Sequence, residues 1–335
     1  MPRRWIKPIV GLAVTGLFVW LLLRNVDLPS LAAAFANLSA PYLLLALACL
    51  AAGYTVRIIR WWWMLRALEP RLPLSVCVWP FLTSIAVNNT VPFRAGDALR
   101  VFGFRRQLRS PAMRILGTLV VERLLDLLAL LAFFFVGLLG LPQGTFPETF
   151  VTVAVWLAGG SLGGALALIL VAPWLPQLVR AIADHRGFAS RGWSDSVHRL
   201  GMNLVEALSL LRSPGRLVVL LGLSVATWAF EGGVFATIAV AFATGAAELG
   251  PWFALATATL ATLLPSSPGY VGTFDYFAVL GLTAYGAPRE AAIAFALTVH
   301  AVLWLPLTAL GLGYLLLRGE RIWRRSPATS AAIEE

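Results

Sequence analysis

The residues of this chain able to do chemistry gather at two interruptions in otherwise apolar sequence. They are Asn88-Asn89-Thr90-Val91-Pro92-Phe93-Arg94-Ala95-Gly96-Asp97 and Pro265-Ser266-Ser267-Pro268-Gly269-Tyr270-Val271-Gly272-Thr273-Phe274-Asp275. Each carries a proline, a glycine four residues later and then a carboxylate: Pro92, Gly96 and Asp97 in one, Pro268, Gly272 and Asp275 in the other. In lipid an unwound backbone is tolerated only where protein buries it or where it lines a cavity, so the breaks mark a polar site inside a bilayer. In the first, the pattern Pro92-x-Arg94-x-Gly96-Asp97-x-x-Arg100 puts two guanidinium groups beside helix ends with free N–H groups. The matching chemistry is anion capture, because the guanidinium fork suits a phosphate bidentately. The competing reading is a cytoplasmic loop whose topology-setting arginines pair with Asp97.

Further charges lie in apolar runs. Glu122, Arg123 and Asp126 fall about a turn inside a span, with Glu122 and Asp126 on one helical face and Arg123 within i,i+3 reach of Asp126. A charge at mid-membrane costs about 2.5–3.5 kcal/mol on insertion scales, so all three should face the protein interior. They serve either as a headgroup or proton relay site or as an ion-pair network that locks helices. Arg57 and Arg60, one turn apart before Trp61-Trp62-Trp63, read as a positive stop with an aromatic belt, or as further phosphate ligands. Glu231 stands as an isolated carboxylate before Gly232-Gly233 and is a candidate coupling residue. His300, on an apolar helix, reads as a helix-to-helix hydrogen-bonding residue.

The elements that must position these groups are membrane helices. With 335 residues, 59% hydrophobic content, 13% charged residues and a mean hydropathy of +0.81, the chain is not a water-soluble globule. Its longest polar stretch, Gln177 to Arg216, is too short for a soluble catalytic domain of roughly 100 residues. The net charge of +10 does not point to nucleic acid, since the basic residues sit in short clusters between apolar runs. With the amino terminus cytoplasmic, 23 of the 26 basic residues fall on cytoplasmic segments, leaving Arg24 and Arg289 outside and Arg123 within a helix. Cys49 and Cys77 form no metal-like spacing and read as small buried hydrophobes. Three scattered histidines make no metal site, and no Gly-rich loop ending in Lys-Ser/Thr is present for ATP. No cofactor and no metal are expected.

Six full crossings are expected at Ile9 to Leu23, read as an uncleaved first span, and at Pro41 to Arg60, Leu116 to Leu141, Phe150 to Pro173, Leu217 to Ala243 and Ala291 to Leu317. Two stretches, about 74–97 and 252–285, should be re-entrant broken-helix elements. Arg-rich flanks place both ends of the first on the cytoplasmic side, and flanks with Glu248, Glu290 and one basic residue place the second on the outer side. Entry from opposite faces fits an inverted repeat. An amphipathic interfacial helix is expected at 194–212, with Val197, Leu200, Leu204, Leu208 and Leu211 on one face. The expected organisation is one all-α polytopic membrane domain over 1–325 and a disordered tail over 326–335.

Arg57-x-x-Arg60-Trp61, the stretch from Asn88-Asn89 to Arg100, Glu122-Arg123-x-x-Asp126 and Pro265-x-x-Pro268-Gly269-x-x-Gly272, in this order, resemble the lysylphosphatidylglycerol synthase transmembrane (flippase-like) family. The resemblance covers nearly the whole chain. It implies movement of an anionic or aminoacylated phospholipid between leaflets of a prokaryotic inner membrane, with both termini cytoplasmic. Better known members carry a soluble aminoacyl-transferase domain after the bundle, and this chain is expected to be a stand-alone member that is not itself an enzyme. Under this reading Arg57, Arg60, Asn88, Asn89, Arg94, Asp97, Arg100, Glu122, Arg123 and Asp126 meet the headgroup. Pro92, Gly96, Pro265, Pro268, Gly269, Gly272 and Asp275 shape the cavity. The expected partners are a membrane phospholipid and either a second copy of the chain or a lipid-biosynthesis enzyme, with no nucleic acid. The rival readings are a membrane-embedded enzyme acting on lipid-linked phosphate substrates and an accessory subunit of an envelope-biosynthesis enzyme.

Overall fold

The structure, a computed structural model, describes residues 6–24, 26–36, 38–92, 94–171, 174, 211, 213–246, 248–264 and 266–324. The expected amphipathic helix at 194–212, save Leu211, the tail at 326–335 and Pro265 lie outside them. Among the described residues every regular element is a helix. In chain order they are α1 (Ile6–Leu23), α2 (Leu28–Ala36), α3 (Ala40–Leu68), α4 (Ser75–Thr90), α5 (Ala95–Ala98) running into a π turn (Leu99–Gly103), α6 (Ala112–Leu139) and α7 (Glu148–Val171). They continue with α8 (Pro214–Ala241), α9 (Gly250–Ala261), a 3-10 turn (Pro268–Tyr270), α10 (Thr273–Thr283) and α11 (Arg289–Arg324).

Three of the expected crossings, in α3, α8 and α11, are helices long and apolar enough to span a bilayer. A fourth is reached if α1 and α2, bent by 86° at their junction, are taken together. The other two expected crossings fall in α6 and α7. α6 is long enough, but it begins at Ala112, which carries Glu122, Arg123 and Asp126 to the middle of the helix rather than one turn inside it. A multi-pass helical membrane protein follows from these elements.

The chain divides into two compact units. The first comprises Met1–Arg57, Arg123–Val171 and Leu217–Trp304. Its packing is dense where glycines let helices approach. A Cβ on Gly137 would lie 2.4 Å from the Phe253 ring, and one on Gly232 would lie 2.0 Å from Trp252. Around these contacts Leu138, Ala158, Phe253, Ala284 and Tyr285 form a buried cluster, extended by the stacked rings of Phe134 and Phe253. α9 and α10 are short, 12 and 11 residues, and lie against each other. Gly281 sits on the Ala254 backbone, and the Thr257 hydroxyl donates to the Phe277 carbonyl at 2.9 Å. At about 1.5 Å per residue each is some 17 Å long, roughly half a hydrocarbon core. In the same unit the Arg289 guanidinium donates to the carbonyls of Leu21, Leu22 and Arg24, satisfying the last turn of α1.

The second unit comprises Ile58–Glu122, Ala172–Arg216 and Leu305–Glu335. Trp61, Met64, Leu65, Phe81, Phe104, Leu108 and Ile115 form its interior. Trp61 hides its indole N–H by donating to Thr118 Oγ1 at 3.1 Å, which lets so large an amphipathic ring be buried without cost in unmade hydrogen bonds. α11 meets α4 through Gly311, where a Cβ would come 2.4 Å from Ala86 and 2.6 Å from the Leu82 carbonyl.

Candidate functional site

The first break lies in the second unit. α4 ends at Thr90 because Val91 is extended (φ −116°, ψ 134°) and Pro92 has no N–H to continue the ladder. The backbone then turns through Arg94, which adopts a left-handed conformation (φ 53°, ψ 41°) that a side chain with a Cβ rarely takes. α5 folds back onto α4, and Gly96 is what permits it, since its Cα faces the Ser84 carbonyl. Asn88 clasps the two helices, donating to Asp97 Oδ1 at 3.0 Å and accepting the Asp97 N–H at 3.2 Å. Asn89 donates to Thr308 Oγ1 on α11 at 2.9 Å. The Asp97 N–H, which the sequence places among donors free for an anion, is therefore engaged by Asn88 and by the Arg94 carbonyl at 3.0 Å.

Beyond α5 the π turn carries Arg100 into the interior, wholly buried. Its Nη2 donates to both Glu122 oxygens at 3.2 and 3.1 Å, while the faces of Trp61 and Phe81 lie 4.7 and 4.8 Å from the guanidinium carbon. Such a pair is compensated by charge and by the ring quadrupoles together. Arg60, also fully buried, belongs to the same unit. Arg94 differs from both. Its side chain is half-buried and makes no hydrogen bond, ion pair or ring contact to any described residue. A groove of about 500 Å³ runs beside α4 and α11 in this unit, lined by Trp79, Leu310, Tyr314 and Leu317, with Arg318 on its wall. Trp79 and Tyr314 stack at 4.3 Å along it.

In the first unit Arg57, Arg123, Asp126 and Glu231 make a cluster with as many positive as negative groups. Glu231, read from the sequence as isolated, is ion-paired with Arg57 across 174 residues of chain. The Arg57 guanidinium also lies 4.6 Å from the Trp228 ring and 5.4 Å from Tyr54. Trp228 Nε1 donates to Asp126 Oδ1 at 3.2 Å, and Arg123 approaches Asp126 Oδ2 at 3.8 Å. Compensated in this way, the four charges can remain within an apolar bundle.

The second break, also in the first unit, is built on left-handed backbone at Gly269 (φ 73°), Tyr270 (φ 60°) and Gly272 (φ 79°). Gly272 is closely covered, since a Cβ there would meet Val19 at 2.8 Å and the Thr15 carbonyl at 3.1 Å. Asp275, 2% exposed, accepts the Gly272 N–H at 2.9 Å and so caps α10. Its other oxygen lies 2.8 Å from His300 Nδ1, and His300 Nε2 lies 2.9 Å from the Gly269 carbonyl. The imidazole of α11 thus staples both sides of the turn. Sequence reading assigns His300 only a generic hydrogen-bonding role. The usable signal is that a histidine and an aspartate both lie in apolar membrane sequence, where each needs a partner.

The ten residues expected to meet a headgroup are therefore divided. Arg60, Asn88, Asn89, Arg94, Asp97, Arg100 and Glu122 belong to one unit, and Arg57, Arg123 and Asp126 to the other. Among the described residues no three His, Cys, Asp or Glu side chains come together in a way that could hold a metal ion.

Compared with known proteins, residues 9–311 match the family model described as the lysylphosphatidylglycerol synthase TM region. A curated relative, named Glycosyltransferase AglD, from Haloferax volcanii, is 27% identical over 330 residues. The match covers 89% of this chain and 52% of that protein, so the chain spans about half the length of the relative.

Proposed function

On the premise that the chain belongs to the lysylphosphatidylglycerol synthase TM family, we propose that it is a translocator moving a lipid with an anionic or aminoacylated headgroup between leaflets of a prokaryotic cell membrane. One observation carries the reading. At the first break the buried cation Arg100 is neutralised by Glu122, while Arg94 lies half-buried on a strained turn with no partner among the described residues. A charge in that position is available to a phosphate, and the Asn88–Asp97 clasp holds the turn that presents it. Asn89, Asp97 and Arg60 frame the same unit, and the groove beside Trp79 and Tyr314 has the size and apolar lining for an acyl chain. The ion pairs Arg100–Glu122 and Arg57–Glu231, with Arg123 and Asp126, serve to fix helices. Pro92, Gly96, Pro268, Gly269 and Gly272 shape the two breaks, by ending helices and by admitting the close approaches and left-handed backbone there. In this reading 74–97 and 252–285 are re-entrant, the second as the α9–α10 hairpin, and both termini are cytoplasmic.

The relative's name supports a second reading. Because this chain matches about half of a protein named as a glycosyltransferase, its role is to serve a membrane enzyme that uses a lipid-linked substrate. One experiment separates the two. The purified protein is placed in liposomes with fluorescent anionic, zwitterionic and lysyl-modified phospholipids, beside Arg94→Ala. Faster exchange of one headgroup class, lost in the variant, supports translocation. Exchange no faster than in empty liposomes, with the protein folded, overturns it and leaves the second reading.

A further inference from the structure

His300 lies between two hydrogen-bond acceptors. The Gly269 carbonyl can only accept, so Nε2 must carry a proton at 2.9 Å. Nδ1 faces Asp275 Oδ1 at 2.8 Å, while Asp275 Oδ2 is occupied by the Gly272 N–H. A neutral imidazole has one N–H and a lone pair on the other nitrogen, so beside an ionised Asp275 it would set lone pair against lone pair at one of the two contacts. Both contacts hold together only if the pair carries one more proton, whether as imidazolium and carboxylate or as imidazole and carboxylic acid.

The surroundings leave this proton to the pair alone. α1 brings Thr15, Phe18 and Val19 onto the break, α8 brings Phe235 onto Phe274, and Phe274 lies 5.0 Å from the His300 ring. Tyr270 and Tyr276 are titratable and close in sequence, and neither bonds to His300 or Asp275. Among the described residues no other charged side chain pairs with either group.

We infer that Asp275 and His300 form a proton-binding site, one exchangeable proton per chain, whose occupancy holds the left-handed turn Gly269–Gly272 onto α11. When the proton leaves to water, one of the two imidazole contacts is lost, and the turn is freed at Gly269 or at its Asp275 cap. This goes beyond the translocation reading, in which Glu231 stands as the coupling candidate. Glu231 is already neutralised by Arg57, and Asp275–His300 is the pair whose hydrogen bonding needs an added proton.

Amide hydrogen exchange over residues 266–276 of the full chain in nanodiscs tests the site, read as a pH series across the range in which the chain stays folded and corrected for intrinsic base catalysis. In the wild type, protection should fall roughly tenfold to a hundredfold as pH rises, the loss of one charge-assisted hydrogen bond. D275N should stay protected at every pH. Its carboxamide N–H donates to Nδ1, its oxygen keeps the Gly272 N–H, and Nε2–H keeps the Gly269 carbonyl, all without an added proton. H300F should be unprotected throughout. A wild-type profile without pH dependence, or D275N retaining the wild-type slope, overturns the inference even if H300F does not fold. Exchange that follows the expected pattern while leaflet exchange fails keeps the proton site and removes the transport reading.

Discussion

Gly96→Ala sets two effects of opposite sign against each other. Alanine is about 1 kcal/mol better than glycine inside a helix, so backbone preference alone makes the variant more stable. The structure gives the other sign. The new Cβ would lie 1.8 Å from the Ser84 carbonyl oxygen and 2.8 Å from Asn88 Oδ1, and the first obstacle is backbone that cannot swing aside. Bringing 1.8 Å to the 3.0 Å that real Cβ contacts need opens α5 from α4 by about 1.2 Å. Overpacking of this kind costs about 1–3 kcal/mol. The same displacement stretches the 3.0 and 3.2 Å bonds between Asn88 and Asp97 beyond hydrogen-bond range, adding about 1.5–3 kcal/mol for the bond to the carboxylate. The net expectation is a loss of about 1.5–5 kcal/mol. Detergent-driven unfolding followed by tryptophan fluorescence reads it, with Gly163→Ala in α7 as control, where a Cβ meets nothing within 4 Å and stability should be equal or higher. G96A as stable as the wild type would refute the claim that Gly96 sets the approach of the two helices.

Three further expectations follow from the charges. Glu231→Ala removes the carboxylate from Arg57, whose side chain is 10% exposed, and should cost about 3–5 kcal/mol in the same unfolding assay. Arg94→Ala should leave unfolding within about 0.5 kcal/mol, since the side chain touches no described partner, while anionic-lipid exchange falls about tenfold or more. Asp27 caps α2, and its carboxyl is held below the usual range by hydrogen bonds from the Ser30 hydroxyl and then from the Ser30 N–H. Its stabilisation is present above the unfolded value near 3.9 and lost as pH falls through the lower folded value, so amide exchange at the start of α2 should rise in acid. D27A should exchange fast at every pH.

The two breaks were legible because proline, glycine and a carboxylate together cannot sit in an ordinary membrane helix, and Pro92, Gly96 and Asp97 do what that composition requires. The long apolar runs announced α3, α8 and α11 for the same local reason. Partnerships were not legible. Glu231 looked isolated because Arg57 lies 174 residues away, and nothing near Glu231 in sequence hints at it. His300 reached Asp275 and Gly269 only through the left-handed turn at Gly269–Gly272, whose direction no periodicity encodes. The start of α6 at Ala112 escaped because Arg114 interrupts the apolar run, although helices routinely begin in polar sequence. Local chemistry fixes where the chain breaks, and distant chemistry fixes what each break holds.

The guanidinium of Arg289 on the end of α1 bears on the order in which the protein is made. Its hydrogen bonds to Leu21, Leu22 and Arg24 span 265 to 268 positions of chain. A nascent chain leaving the ribosome at about 5–20 residues per second has therefore finished nearly all its other helices before the carbonyls of the first find this donor. Until then the last turn of the first helix is left to solvent, and the unit it belongs to, drawn from three separated stretches, cannot close. Assembly of this unit is an event of late translation, and a chain truncated before residue 289 should leave α1 open to the cell's membrane quality-control proteases.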